Sequence, residues 1–158
     1  MVCLIACSQG TALAQSGAAI TTLPLKGGYY VASDTPCNKA SNATFSLLRR
    51  NGLGGSHDFC EFRQIEQTGP TAYRVTQACR ELQDDIPPET SIATYTVPND
   101  ASFTAQHESG WTHSVRYCDQ ASMPPGWQQD DISNVPAYGS QPRLTLISLH
   151  LINNRRIL

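Results

Sequence analysis

The clearest pattern along the chain is an alternation of apolar and polar positions on both sides of a short turn. The two segments run from Phe59 to Gln67 and from Ala72 to Cys79, and Thr68-Gly69-Pro70-Thr71 separates them. The side chains that recur at every second position are Cys60, Phe62, Tyr73, Val75 and Cys79. This spacing places side chains on one face of a sheet, and a Gly-Pro pair favours a turn. The pattern therefore predicts a β-hairpin with a cysteine near each outer end.

Further segments of β-prone residues flank this hairpin, each bounded by turn residues. Together they give seven predicted strands, at residues 29–33, 43–50, 59–67, 72–79, 91–97, 101–107 and 112–118. Short turns can join only antiparallel neighbours, so the sequence predicts an all-β, up-and-down antiparallel meander of about seven to eight strands. We expect a small barrel or sandwich, and closure into a barrel would remove exposed strand edges.

The length of 158 residues corresponds to about one domain. Residues 1–14 are predicted to be a signal peptide, because a short apolar run precedes Ala12-Leu13-Ala14, a small-x-small cleavage pattern. No Lys or Arg precedes that run, so we expect the signal to be truncated. Alternatively, Leu4-Ile5-Ala6-Cys7 fits the residues before a lipidated cysteine, which would anchor the protein through Cys7.

The remaining chain divides by composition. Residues 15–22 are small and polar and are predicted to be a flexible leader, and residues 23–133 are predicted to form the barrel domain. Residues 15–133 carry eight basic and thirteen acidic side chains, whereas residues 134–158 carry three arginines and no acidic residue. Three interpretations of this tail stay open: an eighth strand at 144–152, an amphipathic attachment, or a stretch of unrelated reading frame.

The cysteines indicate an oxidising compartment. Removal of the signal leaves Cys37, Cys60, Cys79 and Cys118, an even number in a small exported domain, so two disulfides are expected. Their spacings of 23, 19 and 39 positions lack the close pairs of a zinc site, so no metal is expected. We favour Cys37 with Cys60 and Cys79 with Cys118, and the alternative is Cys60 with Cys79 across the hairpin.

Charge and hydropathy limit the partners. The net charge of −2 and the pI near 6.0 give no basic face for nucleic acid. No stretch of about eighteen apolar residues occurs, so we expect no transmembrane span. A periplasmic or secreted monomer, or a lipoprotein on a membrane, is the expected form. No pattern of cofactor-binding residues occurs, so no cofactor is expected.

The candidates for catalysis are His107, Glu108 and His113, which are close together in sequence. Two histidines and a glutamate could act as acid and base in a small secreted hydrolase or nuclease. The arginines that would bind phosphate in such an enzyme are Arg63, Arg74 and Arg116. Alternation directs His107 and Glu108 to opposite faces, and the following turn places the group near an exposed rim. A solvent-facing pair of histidines is therefore the favoured interpretation.

Three aromatic residues, Trp111, Tyr117 and Trp127, are candidates for a binding surface, since aromatic side chains give large contact area at low ordering cost. Trp111 follows Gly110 in a polar turn and is expected to be partly exposed. Trp127 is expected to pack onto the barrel from a segment that follows the last strand.

Several short motifs carry a resemblance to a known group: Gly28-Tyr29-Tyr30, Pro36-Cys37, Ala40-Ser41-Asn42-Ala43-Thr44, Cys60, Tyr73-Arg74-Val75, Cys79 and Arg116-Tyr117-Cys118. Over about residues 23–133 the chain resembles small exported proteins of alphaproteobacteria that have no assigned activity. The resemblance implies a location in the cell envelope. In overall plan the chain is also similar to bacterial inhibitors of c-type lysozyme, although it has no counterpart of their inhibitory loop.

These observations favour a non-enzymatic binding module in the periplasm or attached to the surface. Its partner would be a protein or another envelope component, and inhibition of an extracellular hydrolase is one version. Two alternatives stay open: the small hydrolase or nuclease using His107 and His113, and a structural protein of the cell envelope.

Overall fold

The computed structural model describes residues 18–83 and 85–133. Over these residues the chain is all-β, as the alternation predicts, with two single-turn 3₁₀ helices, Cys37–Lys39 and Gln120–Ser122. The nine strands are β1 (Ala18–Ile20), β2 (Gly28–Ala32), β3 (Phe45–Arg49), β4 (Gly52–Gly54), β5 (Asp58–Gln67), β6 (Ala72–Glu81), β7 (Glu89–Asn99), β8 (Ser102–His107) and β9 (Thr112–Cys118).

Strands β2 to β9 form a closed eight-stranded antiparallel barrel. Each of them pairs with the next along the chain, and β9 returns to pair with β2, where Tyr30 lies opposite Tyr117. The predicted up-and-down meander is therefore confirmed. Closure gives every barrel strand two neighbours, which removes the exposed edges of an open sheet.

Strand β1 lies outside this ring and pairs with β5 beyond the end of β4. Ile20 is opposite Ile65, whereas β4 pairs with the earlier part of β5, where Leu53 is opposite Cys60. The sequence predicts a flexible leader as far as residue 22, and this is wrong from Ala18 onward. Ile20 packs against the barrel core, so its apolar side chain ties the segment to β5.

Strand β4 is not among the seven predicted strands, because two of its three residues are glycine, which is unfavourable in a strand. All three residues of the strand are buried between β3 and β5. A Cβ atom built on Gly54 would lie 2.7 Å from the backbone oxygen of Asp58. The absence of a side chain at these glycines therefore permits the backbones of β4 and β5 to approach closely, which is one of the roles of glycine within a strand.

The main core fills the barrel interior. Its members are mostly one alternate set from each strand and include Tyr30, Leu48, Val75, Tyr95, Phe103 and Val115. A register shift between Phe62 and Gln64 inserts one residue into β5. The extra residue reverses the alternation of side chains along the strand. Cys60 and Phe62 therefore face inward at even-numbered positions before the bulge, whereas Ile65 faces inward at an odd-numbered position after it.

A second apolar layer covers part of the outer wall. Tyr29, Val31 and Cys118 point outward from β2 and β9 and pack against Met123 in the segment that follows the barrel. Trp127 lies 4.6 Å from Phe45 between ring centroids, which confirms that it packs onto the barrel. The Tyr29 hydroxyl donates a hydrogen bond of 2.8 Å to Asp130. Residues 119–132 are thereby fixed to the wall.

The two disulfides join Cys37 to Cys118 and Cys60 to Cys79. The favoured pairing is wrong, and the alternative across the hairpin is confirmed. Cys60 and Cys79 are direct partners in the ladder between β5 and β6. The segment after β2 folds back over the outer wall, which brings Cys37 to the outward-facing Cys118. The register of the strands, rather than their order in sequence, selects the pairs.

The predicted signal peptide, its Cys7 and the tail at 134–158 lie outside the described residues. Within the described residues, no helix has the length and apolar character needed to cross a membrane.

Candidate functional site

The barrel has two different ends. The end that we call the closed end is covered by the segment before β2, whose Leu23 and Leu25 belong to the interior core. The Lys26 amide donates a 2.8 Å hydrogen bond to the backbone oxygen of Asp100, in the β7–β8 turn at this end. The Tyr30 hydroxyl donates to the Lys26 oxygen at 2.8 Å from inside the barrel. Apolar side chains and backbone hydrogen bonds thus seal this end.

The opposite end, which we call the open end, contains a cavity of about 230 Å³. We call this cavity the mouth pocket. Its walls come from β3 to β9 and from the turns between them. The residues that line it include Asn42, Phe45, Ser46, Leu53, Ser56, Asp58, Cys60, Gln77, Tyr95, His107, Trp111 and His113. An eight-stranded barrel is just wide enough to hold side chains or one small ligand, so a pocket at its mouth is the expected place for a ligand.

His107 and His113 face this pocket because of their positions in β8 and β9. His107 continues the inward series of Phe103 and Ala105, and His113 lies two residues before the inward Val115. Alternation therefore directs both imidazoles inward at the open end. Their ring centroids are 5.8 Å apart, with planes inclined by 24°.

Trp111 covers these imidazoles from the β8–β9 turn. The turn is held by the His107 amide, which donates to the Trp111 oxygen at 2.8 Å, and Gly110 adopts a φ of 87° that favours glycine. The indole stacks on the His113 ring at 4.3 Å and lies 4.9 Å from the His107 ring. Since Trp111 is 58% exposed, part of the indole faces solvent beside the pocket. Its predicted partial exposure is confirmed.

Gln77 is the buried polar residue of the pocket, with only 1% of its surface exposed. Its amide nitrogen donates to the Ser91 hydroxyl at 3.3 Å, and its amide oxygen accepts from the Tyr95 hydroxyl at 3.3 Å. Burial raises the pKa of Tyr95, so this hydroxyl keeps its proton. The floor of the pocket is therefore a neutral network with defined donors and acceptors.

Burial also keeps the two imidazoles neutral. The pKa of His113 is lowered to about 4, mainly by desolvation and in part by the neighbouring His107, while Asp58 acts in the opposite direction. Desolvation lowers the pKa of His107 as well. Among the described residues, neither His107 Nε2 nor His113 Nδ1 has a hydrogen-bond partner, although both atoms are buried. Unpaired buried polar atoms are rare and costly, so they are a feature that requires explanation.

The structure brings together only part of the predicted site. The prediction of a solvent-facing histidine pair is wrong, because the alternation of side chains along β8 and β9 directs both rings into the barrel. Glu108 is exposed in the turn. Tyr117 packs on Tyr30 at 5.8 Å near the closed end, and Trp127 lies on the outer wall. Of the three aromatic candidates, Trp111 alone lines the mouth pocket.

The predicted phosphate-binding arginines do not reach the pocket. Arg63 forms an ion pair of 3.0 Å with Glu61, and Arg74 is exposed on its strand. Arg116 donates to the Thr35 oxygen at 2.6 Å and lies 3.0 Å from the Cys37 sulfur on the outer wall. Among the described residues that line the pocket, none is a lysine or an arginine.

Sequence reasoning missed Gln77. The signal that could have identified it is its place in the series Tyr73, Val75, Gln77 and Cys79, where one polar side chain interrupts an inward-facing apolar set. A polar residue at a core position needs a hydrogen-bond partner. Asp58 and Ser46, which also line the pocket, carry no comparable signal in the sequence.

The fold and the pocket define the chain as a closed eight-stranded antiparallel barrel with one sealed end and one open, aromatic-rimmed end. Within the described residues, no three His, Cys, Asp or Glu side chains are arranged to hold a metal ion. No protein-family model, no curated protein and no solved structure matches this chain.

Proposed function

We propose that the protein is a non-enzymatic binding module that takes its ligand into the mouth pocket. The observation that carries this proposal is the mouth pocket itself, which two imidazoles and the 58% exposed indole of Trp111 line at the one end of the barrel that the segment before β2 does not cover. A concave pocket lined by aromatic side chains and a few placed polar groups is the usual site of ligand binding.

The compartment proposed for this module is the periplasm or the cell surface. Two disulfides tie the domain, and disulfides persist in oxidising compartments. The Cys60–Cys79 bond joins β5 to β6 where Cys60 lines the mouth pocket, so it restrains this part of the pocket wall. A rigid, preformed pocket binds with little loss of conformational entropy.

The proposal is tested by mapping where ligands bind. The oxidised, isotope-labelled protein is titrated with glycan, lipid and protein fractions of the cell envelope, and NMR resonances are followed. We expect at least one fraction to shift the side-chain resonances of His107, Trp111 and His113 while Leu23 and Leu25 stay unchanged. If no fraction shifts the resonances of the mouth pocket, or if the shifts lie at the closed end, the proposal fails.

A second candidate function is a hydrolase or nuclease, which the convergence of the two imidazoles favours. The 5.8 Å between their ring centroids would allow both to contact one substrate. The electrostatics oppose half of this mechanism, because a pKa of about 4 means that His113 is not an imidazolium at neutral pH and cannot serve as the general acid. The pocket also lacks a lining cation for a phosphate among the described residues.

The two candidates are separated by assays on RNA, peptidoglycan and esters. An enzyme would show a hydrolytic rate that disappears in His113→Ala and remains in Glu108→Ala, whose exposed side chain lies outside the pocket. A binding module would show no rate with either protein. A rate that depends on His113 would replace the binding proposal.

A further inference from the structure

We propose that the open end of the barrel docks a basic segment of a partner protein, with one lysine or arginine side chain against the free face of Trp111. This proposal rests on the proposed function, since it names the class of ligand for the same end of the molecule. Three observations carry it: the exposed apolar side chains, the charge around the mouth pocket and the orientation of Trp111. The buried imidazole nitrogens take no part in the contact.

The large exposed hydrophobic residues of the described chain all lie at the open end. They are Leu82 at 52% exposure, Ile86 at 62% and Trp111 at 58%. Leu82 and Ile86 belong to the connection between β6 and β7, and Trp111 belongs to the β8–β9 turn. Single exposed hydrophobic residues are common on protein surfaces, but a group of them confined to one end is typical of an interaction surface.

Backbone hydrogen bonds hold these connections in place around the mouth pocket. The Leu82 amide donates to the His57 oxygen at 2.6 Å, which attaches the β6–β7 connection to the β4–β5 turn. The Glu108 amide donates to the Ile92 oxygen at 3.3 Å, which attaches the β8–β9 turn to β7. His57 and Trp111 line the same pocket. The apolar side chains are therefore presented around one opening.

The charge around this opening is negative. We call residues 55–58, 80–83, 85–90 and 108–111 the mouth rim. Its acidic residues, all exposed, are Asp58, Glu81, Asp85, Glu89 and Glu108. With Arg80 as its one lysine or arginine, the mouth rim has a net charge of −4, whereas the other described residues carry seven acidic and seven basic side chains. Such a concentration of one sign attracts a cationic partner and repels an anionic one.

The carboxylates of the mouth rim have no cationic partner among the described residues. The ion pairs of this part of the chain are Lys26–Asp100 and Arg63–Glu61. Asp58 lines the mouth pocket with Trp111, and its carboxylate accepts a 3.0 Å hydrogen bond from the Gly55 amide. A cationic side chain that enters the pocket therefore meets a carboxylate that its own turn already holds in place.

Trp111 presents the surface that the cation contacts. One face of the indole lies against His113, with ring centroids 4.3 Å apart and planes inclined by 24°, so the exposed part is the opposite face and the ring edge. The quadrupole of an indole attracts a lysine or arginine side chain to its face. The cavity of about 230 Å³ is smaller than the roughly 300–1,000 Å³ of sites for drug-sized molecules, so it suits one side chain. Apolar neighbours of that side chain can contact Leu82 or Ile86.

The same features disfavour other components of a cell envelope. An anionic lipid surface is repelled by the carboxylates that would have to approach it. A neutral glycan gains no attraction from them. A basic protein segment that also carries apolar residues is the partner that uses both features of the open end.

The test measures the binding of three synthetic peptides of equal length, without aromatic residues, to the oxidised protein. The first alternates arginine with leucine, the second has glutamate in place of arginine, and the third has serine in place of leucine. Trp127→Phe leaves Trp111 as the single tryptophan, so its fluorescence reports binding at the open end. We expect the arginine–leucine peptide to bind about tenfold or more tightly than either of the others. Added salt should weaken its binding.

Charge variants separate the mouth rim from the charge of the whole protein. Asp85→Lys and Glu108→Lys are each expected to weaken binding of the arginine–leucine peptide about fivefold or more. Asp131→Lys makes the same change of net charge at an exposed position outside the mouth rim and should leave the affinity within about twofold. Trp111→Ala should weaken binding about tenfold or more in calorimetric titrations. Equal effects of the three lysine variants would mean non-specific attraction and would overturn the proposal.

Vesicles and glycans supply the remaining outcomes. Vesicles of phosphatidylcholine with phosphatidylglycerol, and short neutral glycans, are titrated in the same way. If either binds at Trp111 while the arginine–leucine peptide does not, the basic-segment proposal is overturned and the binding module stands. If no peptide, vesicle, glycan or envelope fraction binds at the open end, both proposals fall.

Discussion

The two ends of the barrel are built from the same eight strands and have opposite character. At the closed end, Leu23 and Leu25 complete the apolar core and the backbone of Lys26 bonds to the β7–β8 turn. At the open end, His107 and His113 keep buried nitrogens without partners, and Trp111 lies more than half exposed above them. One end uses its residues for stability, and the other leaves buried polar atoms unpaired and an aromatic surface exposed.

This difference supports the proposal that the open end is the functional one. A barrel that needed only stability could fill both ends with leucine, as the closed end does. Natural proteins accept locally unfavourable groups where a ligand is bound, and other parts of the fold offset the cost. Substitutions at the closed end should therefore change stability without affecting binding. Substitution of the exposed Trp111 at the open end should do the reverse.

The largest effect is expected for Leu25→Ala at the closed end. Leu25 is 6% exposed and packs in the interior core, so truncation leaves a cavity and should lower the free energy of unfolding by about 2–5 kcal/mol. Urea denaturation followed by circular dichroism measures this change. Ile86→Ala is the matched control, because its exposed side chain should cost less than about 0.5 kcal/mol. Equal costs for the two variants would contradict the sealed core.

Among the changes that reach the open end, removal of the Cys60–Cys79 disulfide is expected to have the largest effect on stability. The bond closes a loop with a sequence separation of 19, and the chain-entropy model gives a loss of about 3 kcal/mol for Cys60→Ala with Cys79→Ala. Since Cys60 lines the mouth pocket, this variant should also weaken ligand binding. The Cys37–Cys118 pair on the outer wall is the comparison. Its removal should lower stability and leave the mouth pocket unchanged once the protein is folded.

The sequence predicted the meander because alternation and short turns are local signals. It favoured the wrong pairing of the cysteines and kept the correct one as the alternative, since the pairing depends on the bulge in β5 and on the path of residues 37–40 over the outer wall. Strand β4 was missed because glycine normally weakens strands, and its role here is set by the nearby backbone of β5. These features depend on neighbours distant in sequence.

The candidate site was predictable only in part, for the same reason. The sequence identified His107, His113 and Trp111, but a turn rich in polar residues suggested that the histidines face solvent. Which face of a strand becomes the interior depends on barrel closure. Gln77 contributes a polar group from another strand, and no local pattern joins it to the histidines.

The pH dependence of the free energy of unfolding should also distinguish the two ends, because the two histidines with lowered pKa values lie at the open end. His113 has an ordinary pKa of 6.5 when unfolded and a pKa of about 4 when folded, so the unfolded chain binds the proton first as the pH falls. Stability should therefore decline from about pH 6.5 and level off near pH 4 as far as His113 is concerned. His107 acts in the same direction, and Asp58 opposes part of the effect on His113.

Urea titrations across this pH range measure the decline. His113→Phe should flatten it, whereas Leu25→Ala should lower the whole curve without changing its shape. A wild-type curve that rises toward pH 4 would contradict the burial of neutral imidazoles at the open end.

A smaller effect, with the opposite sign, is expected for His113→Phe at neutral pH. Phenylalanine keeps an aromatic ring against Trp111 and removes the unpaired Nδ1 atom. Relief of this unsatisfied group should raise the free energy of unfolding by about 1 kcal/mol. Thermal denaturation at pH 7 measures the gain. A loss of stability would mean that the imidazole is satisfied in the free protein.

The smallest effect on stability is expected for Trp111→Ala, although its effect on binding should be among the largest. The residue is 58% exposed and lies in a turn fixed by backbone hydrogen bonds, so the free energy of unfolding should change by less than about 0.5 kcal/mol. Denaturation and ligand titration of the same sample measure both quantities. A change of stability comparable to that of Leu25→Ala would mean that the indole completes the core. A small change in the free energy of unfolding combined with lost binding would mean that the indole contributes little to the stability of the fold and is required for binding the ligand.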